Sequence, residues 1–105
     1  MNVTDEILVH KVKDSLLSID KDAEVILFGS RARGDARDDS DWDFLFLTNQ
    51  DVTNTLRKEI IEKIFSIEIE EGVVLQVVPK NTTVWTTRHF DSPFYRNVKD
   101  DGIRI

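Results

Sequence analysis

The chain has 105 residues, which suits a single domain spanning residues 1–105, and it contains no cysteine, which excludes disulfides and thiolate chemistry. Hydrophobic residues make up 40% and charged residues 32% of the chain, a balance that excludes a disordered composition. The net charge of −6 argues against nucleic-acid binding, because phosphate neutralisation needs a basic face. Without a long apolar run or a signal-like N-terminus, we expect a cytoplasmic protein that does not enter a membrane.

The first half of the chain alternates helical and strand patterns. Residues 4–18 predict an amphipathic helix with Thr4 as its N-cap. The apolar residues that recur there at the helical period are Val3, Ile7, Leu8, Val12, Leu16 and Ile19. The apolar run 23–28 predicts a buried strand. A polar connection over residues 29–41 follows, and residues 42–47 predict a second strand.

The second half begins with a helix capped by Asp51 or Thr53. We expect its buried face to carry Leu56, Ile60, Ile61 and Ile64. Its end is open, because residues 66–70 alternate like a strand while the isoleucines keep helical spacing. Residues 73–78 predict a third strand closed by Pro79, and residues 82–88 and 93–99 predict short helices. This order predicts an α/β (α+β) fold, in which helices pack on a small mixed sheet.

The tail is rich in aromatic residues: Trp85, His89, Phe90, Phe94 and Tyr95. We expect them to cover one side of the sheet, since aromatic residues mostly serve packing. The alternative is that Tyr95 or His89 lines a pocket for a base or an acceptor.

Two features of residues 28–47 point to chemistry. The first predicted strand stops at Gly29-Ser30, where glycine permits a sharp turn close to a ligand, and backbone N–H groups and the hydroxyl can bind phosphate oxygens. Asp41 and Asp43 begin the second strand, and residues i and i+2 of a strand project to the same face. Two neighbouring carboxylates repel each other unless a cation or a proton lies between them, and magnesium prefers such oxygens. We expect Trp42 to face the core.

Three other interpretations compete with a nucleotide site. The spacing of Asp39, Asp41 and Asp43 matches a calcium loop of the EF-hand type, but Phe44 and Gln50 stand where glycine and glutamate are needed. A P-loop fails because Asp35-Ala36 stands where lysine and serine or threonine are needed. A solvated acidic loop is the third interpretation, and it does not account for the joint arrangement of strand, Gly-Ser turn and Asp-x-Asp strand.

The segment GSRARGDARDDSDWDFLFL resembles the signature of the nucleotidyltransferase superfamily, whose fold is shared with the palm of DNA polymerase beta. The opening Gly-Ser-Arg-Ala-Arg-Gly and the Ser-Asp-x-Asp spelling look like the stand-alone branch called minimal nucleotidyltransferases.

This resemblance implies a role for each motif residue. Gly29 and Ser30 would hold the phosphates of a nucleoside triphosphate, with ATP the expected donor. Asp41 and Asp43 would be catalytic and would coordinate two magnesium ions. Arg31 or Arg33 would contact phosphate oxygens or else neutralise the acidic loop. The reaction would move a nucleoside monophosphate to a hydroxyl of a protein or a small molecule and release pyrophosphate.

The chain departs from the family at one position. The family usually has a third carboxylate on the following strand, where this sequence has Gln76 as the only polar residue of residues 73–78. An amide oxygen is a weak ligand and cannot accept a proton as a carboxylate does. Glu70 or Glu71 would substitute if the register differed. A weakened or inactive module that neutralises its partner by contact is therefore the alternative.

The resemblance also implies a partner. Minimal members lack the helical acceptor-binding domain of larger relatives, and many pair with a small all-helical protein, in some cases as the antitoxin of a toxin–antitoxin system. We expect such a partner here, and self-association is a further expectation. An aminoglycoside-type transferase is disfavoured, because a second domain to bind the sugar is missing.

Overall fold

The computed structural model describes residues 1–88 and 91–105, with Arg88 described through its backbone alone. The helices are α1 (Val3–Leu17), α2 (Ser30–Arg33), α3 (Asn54–Glu71), α4 (Thr82–Arg88) and α5 (Pro93–Asp101). The strands are β1 (Glu24–Phe28), β2 (Trp42–Thr48), β3 (Leu75–Asn81) and β4 (Ile103–Arg104). They form one sheet in the order β3-β2-β1-β4. Strand β2 runs parallel to β3, and β1 is antiparallel to both β2 and β4, so the predicted mixed sheet with packed helices is confirmed.

Each face of the sheet is covered by a different pair of helices, because alternate residues of a strand point to opposite faces. Helices α1 and α3 cover one face, and α4 and α5 lie on the other. The core of the first face includes Val12, Leu16, Leu27, Trp42, Phe44 and Ile64. The second face is smaller and holds Leu45, Leu47, Trp85 and Val98, with Phe94 and Tyr95 packed against them. The expected burial of Trp42 and the packing role of the aromatic tail are thus confirmed for the described residues, while His89 and Phe90 lie outside them.

Several predicted details of the helices differ from the structure. Helix α1 is capped by Asn2, which accepts a hydrogen bond from the Asp5 N–H, so the prediction of Thr4 as the cap is wrong. Thr53 caps α3, and α3 continues through the open segment 66–70 to Glu71. Ile61 was expected on the buried face but is 65% exposed, because the inner face of the continuous helix is filled by residues spaced three and four apart. Ile7 is likewise 64% exposed on α1.

Strand β3 was expected to end before Pro79, but it continues to Asn81. Proline is tolerated there because β3 is an edge strand. The Trp42 N–H donates to the Val74 carbonyl, so the N–H groups of Leu75 and of the residues at odd positions beyond it face the open edge. The Leu75 N–H donates to the Glu68 carboxylate, and Pro79 has no N–H, so this edge is poorly suited to pairing with another strand.

The last residues form a strand that the sequence pattern did not reveal. In β4, Ile103 pairs with Leu27 and Arg104 pairs with Ile26, which places the chain end beside β1. Two residues are too few to show any periodicity, so this pairing, which the Ile105 N–H extends by donating to the Val25 carbonyl, leaves no local pattern in the sequence. Within residues 1–88 and 91–105, no helix is long and apolar enough to cross a bilayer.

Candidate active site

The turn after β1 brings the backbone against a carboxylate. Gly29 has φ +77° and ψ −161°, a conformation that is essentially restricted to glycine. A Cβ atom at this position would overlap the Asp43 side chain, because the carboxylate packs directly against the glycine Cα. Helix α2 starts at once with Ser30, and its first hydrogen bonds are accepted by the Gly29 carbonyl. The predicted Gly-Ser turn and Asp-x-Asp pair are therefore adjacent in space.

Asp41, Asp43 and Gln76 form one polar cluster on the face of the sheet that carries α4 and α5. Asp41 immediately precedes β2, and Asp43 lies opposite Phe28 of β1 and Gln76 of β3. The Gln76 Nε2 donates a hydrogen bond of 3.3 Å to Asp41 Oδ2. The register thus places Gln76 beside the carboxylate pair, and Glu70 and Glu71 instead contact Lys11 of α1.

The electrostatics of the cluster fit a divalent cation. Partial burial raises the pKa of the Asp43 carboxyl above 3.8, the negative charge of Asp41 raises it further, and the Arg33 charge opposes the shift. The raised pKa means that the nearby positive charge does not offset the burial of the Asp43 carboxylate and its repulsion by Asp41. Two oxygen-bearing side chains in this state suit magnesium, which prefers carboxylate ligands and retains positions for phosphate oxygens.

The two candidate arginines lie on different sides of the sheet. Arg31 donates to the carbonyls of Asp38 and Ser40, and its guanidinium lies 4.5 Å from the centroid of the Trp42 ring. It therefore holds the 29–41 loop on the α1 side. Arg33 pairs with Asp35 at 3.2 Å and with Asp101 of α5 at 3.8 Å, and it is the arginine that acts on Asp43.

Asp101 was not predicted to be near the motif, since a residue about 70 positions away in sequence gives no local signal. Phosphate contact by Arg31 stays a prediction. Arg33 is the better placed of the two arginines for that contact.

An aromatic wall separates the carboxylates from the rest of the same face. Phe28, opposite Asp43, makes an edge-to-face contact with Phe94 at 5.2 Å, and Phe94 contacts Trp85 at 5.4 Å. Tyr95 lies beyond this wall, in a cavity of about 380 Å³ whose lining includes Ile26, Leu47, Trp85, Lys99 and Arg104. Leu47 is four residues from Asp43 along β2, or about 13 Å at the rise of a strand. The alternative that Tyr95 lines a pocket for a base or an acceptor is therefore not tested, and this cavity lies at a distance from the carboxylates.

Comparison with known proteins identifies the family. The profile described as nucleotidyltransferase domain matches residues 9–105, so the chain belongs to the nucleotidyltransferase domain family. The family predicted from the Gly-Ser and Asp-x-Asp motif is thereby confirmed. A search of curated proteins gave no match.

Two solved structures share the fold. A crystal structure of a toxin–antitoxin with AMP-PNP superimposes with a TM-score of 0.66 at 20% identity, covering 90% of this chain and 69% of that chain. A structure assigned to the minimal nucleotidyltransferases superimposes with a TM-score of 0.61 at 24% identity, covering 95% of this chain and 94% of the other. These TM-scores establish a common fold, and the second structure agrees with the branch indicated by the motif.

The contact between Gly29 and Asp43 predicts different effects for two glycines of the motif. Gly29→Ala forces a strained φ and a clash with the carboxylate, so we expect it to lower the free energy of unfolding by about 3 kcal/mol or more. Gly34 also has a positive φ, +84°, but a Cβ there meets no atom within 4 Å. Gly34→Ala should therefore cost only about 1 kcal/mol. Urea denaturation measures both, and equal losses would contradict the close contact.

The raised pKa of Asp43 predicts a pH-dependent gain in stability on neutralising it. A carboxyl whose pKa is higher in the folded than in the unfolded chain destabilises the fold when ionised, and this penalty disappears as the pH falls. Without metal at pH 7, Asp43→Asn should raise the melting temperature by roughly 2–5 °C. The difference from the wild type should vanish below about pH 4. Thermal unfolding across this range checks it, and a less stable variant at pH 7 would refute it.

Proposed function

We propose that residues 1–105 act as one nucleotidyltransferase domain that transfers AMP from ATP to a hydroxyl of an acceptor. This proposal is carried by the Asp41–Asp43 pair at the start of β2, where the Asp43 carboxylate lies against the Gly29 backbone, in a chain of the nucleotidyltransferase domain family. The acceptor oxygen would form a bond to the α-phosphorus while the bond to the β-phosphate oxygen breaks, and pyrophosphate leaves.

Each polar residue of the cluster would take a separate part. Asp41 and Asp43 would hold magnesium, which neutralises charge on the triphosphate when it is bound. The Ser30 hydroxyl and the backbone that Gly29 leaves uncovered would bind phosphate oxygens. Arg33 would add a guanidinium on the same side, exchanging its contacts with Asp35 and Asp101 for phosphate. Of the side chains in the carboxylate cluster, only the two aspartates can accept the proton of the acceptor hydroxyl.

Calorimetric titration of ATP with and without magnesium tests this site. We expect magnesium-dependent binding to the wild type and at least a tenfold loss of affinity in Asp41→Asn/Asp43→Asn, because the metal ligands are removed. The double variant Asp38→Asn/Asp39→Asn is the matched control, since it removes the same charge from exposed positions of the neighbouring loop. Equal losses in both variants would reduce the effect to net charge and contradict the site.

We also propose a helical partner protein that docks on α3. Ile61, Phe65 and Ile69 are 59–69% exposed and, spaced four residues apart, form one apolar stripe along the helix. At the adjacent edge of β3, Glu68 already binds the Leu75 N–H and Pro79 has no N–H, so another strand would pair there poorly. A helix packed on the apolar stripe suits this surface better. The fold shared with a toxin–antitoxin structure supports a protein partner, and the surface of α3 supports its helical form.

Substitutions on α3 test the docking surface. Phe65→Lys places a charge in the stripe and should abolish copurification with the helical product of an adjacent reading frame, because the apolar contact cannot form around it. Glu59→Lys changes an exposed residue about 120° around the helix from Phe65 and should leave copurification intact. Partner binding that survives Phe65→Lys, or the absence of any helical protein encoded nearby, would contradict the proposal.

A second candidate function is neutralisation of the partner by contact alone, and Gln76 in place of a carboxylate favours it. The same aspartate variants separate the two functions. A transferase would lose its effect on the partner in Asp41→Asn/Asp43→Asn, whereas a module that acts by contact would keep it.

A further inference from the structure

Gln76 occupies the position where a further ligand would have to stand. Its Cα pairs with that of Asp43 across β2 and β3, its side chain is exposed on the same face, and its Nε2 lies 3.3 Å from Asp41 Oδ2. It is therefore the side chain from β3 that borders the space above the two carboxylates.

The amide has one favourable orientation beside a carboxylate. With the NH₂ group toward Asp41 it donates a hydrogen bond, whereas the carbonyl in that place would face another acceptor and be repelled. In this orientation Gln76 presents hydrogens to the carboxylate cluster and competes with a cation for Asp41. If the amide turned round, it would offer only a neutral oxygen, so in neither orientation does Gln76 give a second cation an anionic ligand.

The charge of the cluster is sufficient for one divalent ion. Asp41 and Asp43 together carry a formal charge of −2, which one such ion cancels. Two divalent ions in a shared site lie about 3.5–4 Å apart and repel each other strongly. The phosphate oxygens of the nucleotide supply ligands for the ion that accompanies it, so the other ion needs a further anionic ligand from the protein. Among the described residues, no group of three or more histidine, cysteine, aspartate or glutamate side chains is arranged to hold a metal.

We propose that the protein binds its nucleotide with a single divalent ion, and that Gln76 is the residue that keeps a second ion out. This inference rests on the proposed function and deepens it, because it makes Gln76 the residue that sets how many metal ions the site binds. It also replaces the two ions that the family resemblance implied with one.

Counting bound Mn²⁺ tests the proposal without any measurement of turnover. Free Mn²⁺ is followed by electron paramagnetic resonance during titration into an equimolar mixture of protein and a non-hydrolysable ATP analogue, and the Mn²⁺ bound by the analogue alone is measured separately and subtracted. We expect one bound ion in the wild type and two in Gln76→Glu, with the second ion bound at least tenfold more tightly than in the wild type. Because Gln76 is exposed, the variant should fold, and circular dichroism with urea denaturation verifies this.

Asn81→Asp is the matched control for added charge. It places one negative charge on the same strand, about 16 Å from position 76 at the rise of a strand. Aspartate can still accept the N–H bonds of Thr83 and Val84 that Asn81 accepts now, but it loses the hydrogen bond that Asn81 Nδ2 donates to the Gln50 carbonyl, so the folding of this variant is verified in the same way. This variant should bind one ion.

The results distinguish a failure of the role proposed for Gln76 from a failure of the proposed function. Two ions bound equally well by the wild type and Gln76→Glu, or a single ion in a folded Gln76→Glu, would overturn the role of Gln76 and leave the proposed function standing. A second ion gained by Asn81→Asp as well would also overturn it. No nucleotide-dependent Mn²⁺ binding in the wild type would overturn the proposed function, and this inference with it.

Discussion

The contact between the Asp43 carboxylate and the Cα of Gly29 is the constraint on which the site depends. It requires that the residue after β1 has no side chain, that the backbone there adopts a conformation restricted to glycine, and that β2 pairs with β1 in one register. Once this contact is made, α2 begins beside the carboxylates, and Ser30 and Arg33 are carried to the same place. The turn and Asp43 can therefore lie this close together only because position 29 carries no side chain.

The alternation of side chains along β2 divides the motif between two environments. Trp42 enters the core on the α1 side and takes Arg31 with it, so this guanidinium holds the connecting loop through carbonyl oxygens. Asp41 and Asp43 face the other way, where Arg33 is the nearby positive charge that offsets part of their repulsion. The result is a cluster that is destabilising by itself and that a bound cation would relieve, as is common where function and stability compete.

Strand β3 connects the carboxylate cluster to the apolar stripe of α3. Gln76 contacts Asp41 on one face of the strand, while the N–H of the preceding Leu75 is bound by Glu68 of α3. The exposed stripe of Ile61, Phe65 and Ile69 lies on the helix that packs against the opposite face of the sheet from the carboxylates. Strand β3, which pairs with β2 along its whole length, is thus in contact with both the carboxylate cluster and α3.

The sequence by itself determined the class of fold, the Gly-Ser turn, the aspartate pair and the burial of Trp42, because periodicity and close spacing are local properties. Tertiary structure decided which face of α3 is buried, so that Ile61 is exposed, and which arginine faces the carboxylates. It also brought Asp101 to Arg33 and added β4 to the sheet. These features depend on contacts between residues far apart in sequence, whose pairing is selected by the packing of whole helices and strands and leaves no local pattern to read.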